Sequence, residues 1–216
     1  MSDLCAAYNI SRKSGYKWLS RYNKAGIEGL NEASRKTCTL AVGQQTRPQP
    51  GPSDLDVLFA PLKQARLDYM VQKAVEMGAG RLIPVRTQFT QIARVNGGRM
   101  RANAIEAAEQ CGILSLPEIM PFTKLDHILA DWDPAQRLIF CDEAAVGNPA
   151  SALGAVPPGP LAVLIGPEGG FSAGERARLH DLPHVTAISL GPRVLRADTA
   201  AVAAMAIIQA LIGDWR

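Results

Sequence analysis

The stretch LAVLIGPEGGFS at residues 161–172 and the stretch VTAISLGPRVLRADT at residues 185–199 decide the fold of this chain. Each begins with a largely apolar run of strand length and continues into a loop that contains glycine and proline. Apolar runs without polar alternation are typical of parallel strands that are covered on both faces. Because ligands of parallel α/β sheets bind at the carboxyl ends of the strands, both loops stand where a ligand site is expected.

The pattern around these stretches extends the same fold over residues 54–216. Apolar runs predict strands at residues 55–60, 81–85, 138–141, 161–165 and 185–190. Apolar residues at helical spacing predict helices at residues 64–77, 99–110 and 199–212. Strands that alternate with helices predict an α/β domain with a parallel sheet. The most apolar stretch, residues 200–212, is too short to span a bilayer.

The two loops exclude some ligands and leave others open. They contain neither the GxxxxGK[ST] phosphate cradle nor a GxGxxG turn, which argues against an NTPase and against a conventional dinucleotide site. Glycines let backbone groups approach a ligand closely. From the residues alone, the loops are either a small-molecule site lined by backbone or two tight structural turns. The four cysteines are scattered without a CxxC pair, which argues against a zinc site and a disulfide framework.

The first part of the chain differs in charge from the rest. Residues 1–47 hold eight Lys and Arg against three acidic residues, a net charge of +5, whereas the remainder holds 15 basic and 17 acidic residues. A basic segment favours a polyanionic partner. Residues 1–36 have the outline of a helix–turn–helix, and the proline-rich residues 37–53 are a predicted linker to the α/β domain.

Residues 4–36, LCAAYNISRKSGYKWLSRYNKAGIEGLNEASRK, resemble the DNA-binding segment of insertion-sequence transposases. In that family a further helix precedes this segment, and here the chain starts inside the pattern. The resemblance implies a partial helix–turn–helix with weak DNA binding. A basic leader without a function of its own is the alternative.

The two glycine loops carry a second resemblance. LIGPEGGFSAGE at residues 164–175 and ISLGPRVLRADTA at residues 188–200 are similar to the signature pair of the ribosomal RNA uridine-N3 methyltransferases of the SPOUT class. The similarity extends upstream through residues 54–85 and 106–119. It implies a parallel sheet with a C-terminal trefoil knot, S-adenosylmethionine as methyl donor and no metal. It also implies small-subunit 16S ribosomal RNA as substrate, a homodimer and a cytoplasmic location.

The resemblance also implies roles for individual residues. Donor binding falls to the two loops and the start of the last helix, namely Ile165, Gly166, Gly170, Leu190, Gly191, Val194, Leu195 and Thr199. Arg193 and Arg196 are candidates to pair with a uracil carbonyl or a phosphate, because a guanidinium presents a planar set of donors. Glu168 or Asp198 is a candidate to accept the N3 proton or to position an arginine. Lys63 and Arg66 are candidate RNA contacts.

The sequence departs from that family in three places. Members of the family begin with a small β-barrel that binds RNA, and the transposase-like segment stands in its place. Phe89 and Ile113 occupy positions where the family usually has arginine. Fewer cationic contacts predict weak ribosome binding. The presence of a transposase-like segment in place of the β-barrel suggests a rearranged gene. The alternative function is a DNA-binding helix–turn–helix protein with a dimerising, catalytically inert SPOUT domain.

Overall fold

The computed structural model of the protein describes residues 48–215. The predicted helix–turn–helix at residues 1–36 and most of the predicted linker therefore lie outside the described residues. The described elements follow one another along the chain as β1 Leu55–Phe59, α1 Gln64–Glu76, β2 Arg81–Arg86, α2 Gly97–Cys111, β3 Glu118–Ile119, β4 Thr123–Lys124, α3 Leu125–Ala130, β5 Arg137–Cys141, α4 Pro149–Gly154, β6 Leu161–Ile165, α5 Ala173–Asp181, β7 Val185–Ile188 and α6 Ala197–Leu211.

The strands form one parallel sheet in the order β3-β2-β1-β6-β5-β7, with β4 paired beside the far end of β2. The predicted parallel α/β fold is thus confirmed. β6 lies between β1 and β5, which both precede it in the chain, and α6 packs against α1 after the last strand. This path is consistent with a trefoil knot, and the threading itself stays a prediction. The order places the carboxyl ends of β6, β5 and β7 side by side.

Successive residues of each strand pack into two separate hydrophobic cores, one on each face of the sheet. Val57, Ile139 and Val163 pack with α1, α2, α4 and α6 on one face. Leu58 and Leu164 pack with α3 and α5 on the other. Because the strand residues on both faces are apolar, the strands do not alternate between apolar and polar residues as in a sheet with one solvent-exposed face. This is expected for buried parallel strands.

The ends of α2 show how local sequence sets a helix boundary. The side chain of Asn96 accepts a hydrogen bond of 3.0 Å from the backbone N–H of Arg99, which satisfies one of the free donors of the first turn. At the other end Gly112 adopts a left-handed conformation with φ of 65°, a geometry that glycine takes without a Cβ penalty. The helix extends slightly beyond the predicted residues 99–110 at both ends.

Pro84 lies inside β2, although proline cannot donate to a strand ladder. The sheet tolerates it because the neighbour of β2 changes at this point. Arg81 and Leu82 pair with β3, whereas Val85 and Arg86 pair with β4. Pro84 therefore falls in the gap between the two short partner strands, where no ladder bond to either of them is lost.

No helix in the described part of the chain is long and apolar enough to cross a membrane.

Candidate functional site

The candidate site is a cleft at the carboxyl ends of β5, β6 and β7. It encloses about 790 Å³, including the part open to solvent. Its walls come from the residues that follow each of the three strands, together with the start of α6. The lining residues include Cys141, Asp142, Glu143, Ile165, Gly166, Pro167, Glu168, Gly170, Phe171, Arg176, Ile188, Leu190, Gly191, Pro192, Arg193, Val194, Leu195, Ala197 and Ala200.

The loop after β6 is a tight turn packed against an aromatic ring. The N–H of Gly170 donates to the carbonyl oxygen of Pro167 at 2.9 Å, and Gly170 has a φ of 69°. A Cβ on Gly166 would lie 2.5 Å from Cε2 of Phe171. Only glycine lets the backbone at position 166 lie this close to the buried ring, so the residue is required by packing as well as by the cleft.

The loop after β7 is more open. Gly191 has a φ of 106°, and a Cβ at this position would meet nothing within 4 Å. Its N–H donates a 3.3 Å hydrogen bond to Oγ of Ser189. Val194 is 83% exposed at the cleft wall. An apolar side chain so accessible beside a concave site is available to a ligand or to another chain.

The structure brings most of the predicted site residues to this cleft. The predicted donor-binding residues of both loops line it, as do Glu168 and Arg193. Arg196, Asp198 and Thr199 do not line it. α6 begins at Ala197, before the predicted start at Thr199, and Arg196 is the exposed residue that precedes the first turn.

Asp198 is engaged away from the cleft. Its carboxylate pairs with the guanidinium of Arg66 on α1 at 3.1 Å, and it also accepts a 3.0 Å hydrogen bond from the backbone N–H of Thr199. The backbone N–H of Thr199, a predicted donor-binding residue, therefore has an internal partner. The arginine that Asp198 positions is Arg66, one of the two predicted RNA contacts, while the other, Lys63, is exposed.

A charged cluster at the end of β5 was not predicted. Asp142 is 3% exposed and accepts hydrogen bonds from His180 Nε2 at 2.9 Å and the N–H of Ala144 at 3.0 Å. Arg176 lies 3.3 Å from the Asp142 carboxylate and 3.5 Å from that of Glu143. Nε of Arg176 is buried without a hydrogen-bond partner among the described residues. A charged pair placed directly after a predicted strand was the available signal, but its relevance depends on β5 lying beside β6.

The charges of the cleft are unequal. Its lining holds the carboxylates of Asp142, Glu143 and Glu168 against the guanidinium groups of Arg176 and Arg193. Glu143 is 55% exposed at its side chain, and its Oε1 lies 3.1 Å from the place that a Cβ on Gly170 would occupy. An accessible carboxylate thus lies against the β6 loop, where it can attract a cationic group of a ligand.

Two further features bear on chemistry. The Cys141 thiol borders the cleft, and desolvation of its thiolate raises its pKa to about 12, so it is not a nucleophile at neutral pH. Within residues 48–215, no group of three His, Cys, Asp or Glu side chains is arranged to hold a metal ion. The groups that the cleft provides for ligand binding and proton transfer are therefore backbone groups, carboxylates and guanidinium groups.

The two positions that lack the family's usual arginine lie in different environments. Phe89 is 44% exposed on the loop between β2 and α2. Ile113 is partly buried and packs against the larger core. A cation at position 113 would lose some of this apolar packing, so its replacement by isoleucine contributes to the fold.

Comparison with family models assigns both parts of the chain. Residues 49–209 match the model of an RNA methyltransferase domain, and residues 1–36 match that of a helix–turn–helix domain. These matches confirm the methyltransferase resemblance and the helix–turn–helix prediction for the N-terminal segment.

Individual relatives agree. The chain is 26% identical over 182 residues to ribosomal RNA small subunit methyltransferase E of Rickettsia conorii, covering 84% of this chain and 75% of the relative. It is 31% identical over 160 residues to the Bacillus subtilis protein of the same name, covering 68% of this chain and 61% of the relative. The crystal structure of the Neisseria gonorrhoeae protein of that name, bound to S-adenosyl methionine, superposes with a TM-score of 0.70 at 26% identity, over 80% of this chain and 72% of that one. With the parallel sheet and the cleft at its carboxyl edge, these matches show that the chain belongs to the RNA methyltransferase domain family.

Proposed function

We propose that this protein transfers a methyl group from S-adenosylmethionine to N3 of a uridine in 16S ribosomal RNA. The observation that carries the proposal is the cleft at the ends of β5, β6 and β7, which gathers the predicted donor-binding residues of both glycine loops. The chain spans 61% of the Bacillus subtilis relative.

The lining of the cleft suits the proposed donor in its chemistry and in its charge. The absence of a side chain at Gly166, Gly170 and Gly191 leaves backbone groups accessible, and the excess of carboxylates suits a ligand with a sulfonium centre. When bound, S-adenosylmethionine supplies an activated methyl group, so a metal is not required.

The chain's own residues orient the acceptor and handle its proton. N3 of uridine becomes a good nucleophile only when it loses its proton. Glu168, which lines the cleft with an exposed side chain, is the proposed acceptor of that proton. Arg193 lines the same cleft and can stabilise the negative charge that develops on the uracil carbonyl oxygens. Two groups outside the cleft are proposed to contact the RNA strand that leads into it, namely Arg196 and the Arg66–Asp198 pair.

The proposal includes a homodimer. Val202, Ala203, Ala206 and Ile207 on α6 are only partly buried, and Leu211 at its end is 38% exposed. An apolar helix face that its own core does not fully cover suits a subunit contact. Analytical ultracentrifugation of the full chain tests this part, and a monomer at micromolar concentration would refute it.

Donor binding is the first test. Calorimetric titration of the full chain with S-adenosylmethionine should show binding that Gly191→Glu abolishes, because the new side chain would enter the cleft. Gly147→Glu is the matched control, since Gly147 also has a positive φ, of 112°, and open space around it but does not line the cleft. Equal loss in both variants would mean that strain, not the cleft, is responsible.

Methyl transfer is the second test. Unmodified small ribosomal subunits are incubated with donor labelled in the methyl group, and the modified base is located by the stop that N3 methylation causes in reverse transcription. Label in N3-methyluridine supports the proposal, and its loss in Glu168→Gln and Arg193→Ala supports their roles. A protein that binds the donor but labels no RNA would contradict the proposed substrate.

A second function has its own observation. The helix–turn–helix match at residues 1–36 and the net charge of +5 over residues 1–47 favour duplex DNA as a partner of that segment. We propose weak DNA binding that falls steeply with salt. Deleting residues 1–47 should abolish it and leave donor binding unchanged. DNA affinity that survives the deletion would refute this function.

A further inference from the structure

An exposed aromatic side chain lies against the β6 loop, which forms one wall of the cleft. Phe89, on the loop between β2 and α2, is 44% exposed. We propose that its ring is a stacking platform for an unpaired base of the RNA acceptor. The inference rests on the proposed function and adds to it a subsite for the substrate strand.

Hydrogen bonds constrain the backbone of the loop that carries Phe89. Thr87 and Thr90 close a turn around it, with the N–H of Thr87 donating to Oγ1 of Thr90 at 2.9 Å. The N–H of Gln88 donates to Oε1 of Glu175 at 2.7 Å. Glu175 in turn forms the capping box of α5 with Ser172, directly after the β6 loop. The platform is therefore tied to the same segment that builds the cleft, which lowers the entropy cost of ordering it on binding.

The contact with Gly169 places the ring beside the reaction site. A Cβ on Gly169 would lie 3.2 Å from Cβ of Phe89, so the backbone of the β6 loop lies directly against this residue. The two neighbours of Gly169 in the chain, Glu168 and Gly170, both line the cleft. A base stacked on Phe89 would thus lie next to the proposed proton acceptor.

The surroundings of Phe89 favour a base over a protein partner. The residues on either side of it, Thr87 and Gln88 before it and Thr90 and Gln91 after it, are polar. Protein interfaces bury a contiguous apolar core, whereas an unpaired RNA base needs only one aromatic face on which to stack. One ring on a polar loop provides the second kind of surface.

The chemistry of a ring also suits the charge of this domain. Residues 48–216 hold 15 basic and 17 acidic residues, so electrostatic attraction to RNA is weak there. Stacking on an aromatic ring contributes about 1–3 kcal/mol per base without requiring charge. Phenylalanine in place of the family's usual arginine therefore exchanges a salt-sensitive contact for one that salt affects little.

The test compares variants that keep or remove an aromatic ring at position 89. The full chain, Phe89→Trp and Phe89→Leu are titrated into a fluorescent single-stranded RNA that contains uridines, at two salt concentrations, and each protein is also titrated with S-adenosylmethionine. Phe89→Leu should weaken RNA binding about 5- to 150-fold, the equivalent of one stacked base, and Phe89→Trp should preserve it. Both variants should bind S-adenosylmethionine like the wild type. The salt dependence of their RNA binding should also equal that of the wild type. Tyr69→Leu is the control, because Tyr69 is equally exposed, at 44%, but lies on α1, where its ring faces Nζ of Lys73 and not the β6 loop.

The outcomes separate this inference from the proposed function. Equal RNA affinity of Phe89→Leu and the wild type would overturn the stacking platform, as would a wild type that binds donor but no RNA. A Phe89→Leu variant that changes only the sedimentation of the protein would reassign the ring to a subunit contact. A wild type that binds RNA through Phe89 but not the donor would refute the proposed enzyme and leave the platform standing.

Discussion

Replacement of Gly166 by alanine tests the packing of the β6 loop. The new Cβ would lie 2.5 Å from Cε2 of Phe171 and 3.1 Å from two further ring atoms. The ring cannot simply move away, because Phe171 is 9% exposed and packs edge-on against Phe140 at a centroid distance of 5.0 Å. Either the ring or the backbone of the loop must shift.

The expected cost follows from overpacking. Extra carbon in a well-packed interior destabilises a protein by about 1–3 kcal/mol. With a urea dependence of about 2 kcal/mol per molar, the midpoint of unfolding should fall by about 0.5–1.5 M. Because Gly166 also lines the cleft, the affinity for S-adenosylmethionine should fall in the same variant.

A nearby glycine supplies the control. A Cβ on Gly174 in α5 would meet nothing within 4 Å, and alanine is favoured over glycine in helices by up to about 1 kcal/mol. Urea unfolding followed by circular dichroism should therefore find Gly174→Ala equal to or more stable than the wild type. A Gly166→Ala protein with a midpoint at or above that of the wild type would refute the packing argument.

Three further predictions concern pH, thiol chemistry and a buried carboxylate. Burial lowers the pKa of His184 below its usual 6.5, so protonation of this residue favours the unfolded chain. The free energy of unfolding should therefore fall as the pH drops below about 6.5. The fall should be smaller in His184→Phe, which lacks the titrating group. Iodoacetamide at pH 7.5 should label the exposed Cys111 and spare Cys141, whose pKa is raised to about 12, as peptide mass spectrometry would record; rapid labelling of Cys141 would contradict this. Asp56 is 3% exposed and accepts hydrogen bonds from the half-exposed Arg81 and from the buried amide of Gln136, so Asp56→Ala should lower the free energy of unfolding in urea by about 1–3 kcal/mol. A loss too small to measure would mean that these hydrogen bonds contribute little.

Periodicity located the long elements but missed the short ones. α1 and β6 were predicted within a residue or so of their observed ends, because each carries a strong apolar pattern. α5 was not predicted, although Ser172 and Glu175 form a capping box, because Leu179 is its one buried residue and leaves no apolar stripe. β3 and β4 are two residues each and exist because β2 offers them ladder partners.

The sequence by itself determined the glycine loops, the apolar strands and the family, because these depend on residues close together in the chain. Tertiary structure alone decided what surrounds the loops. β5 lies beside β6 and β7 through long-range pairing, which brings Asp142 to Arg176 and His180 at the cleft. In the same way the chain folds Asp198 onto Arg66, 132 residues away, and Phe89 onto Gly169. Such contacts depend on the order in which strands pair, and local residue patterns do not encode that order.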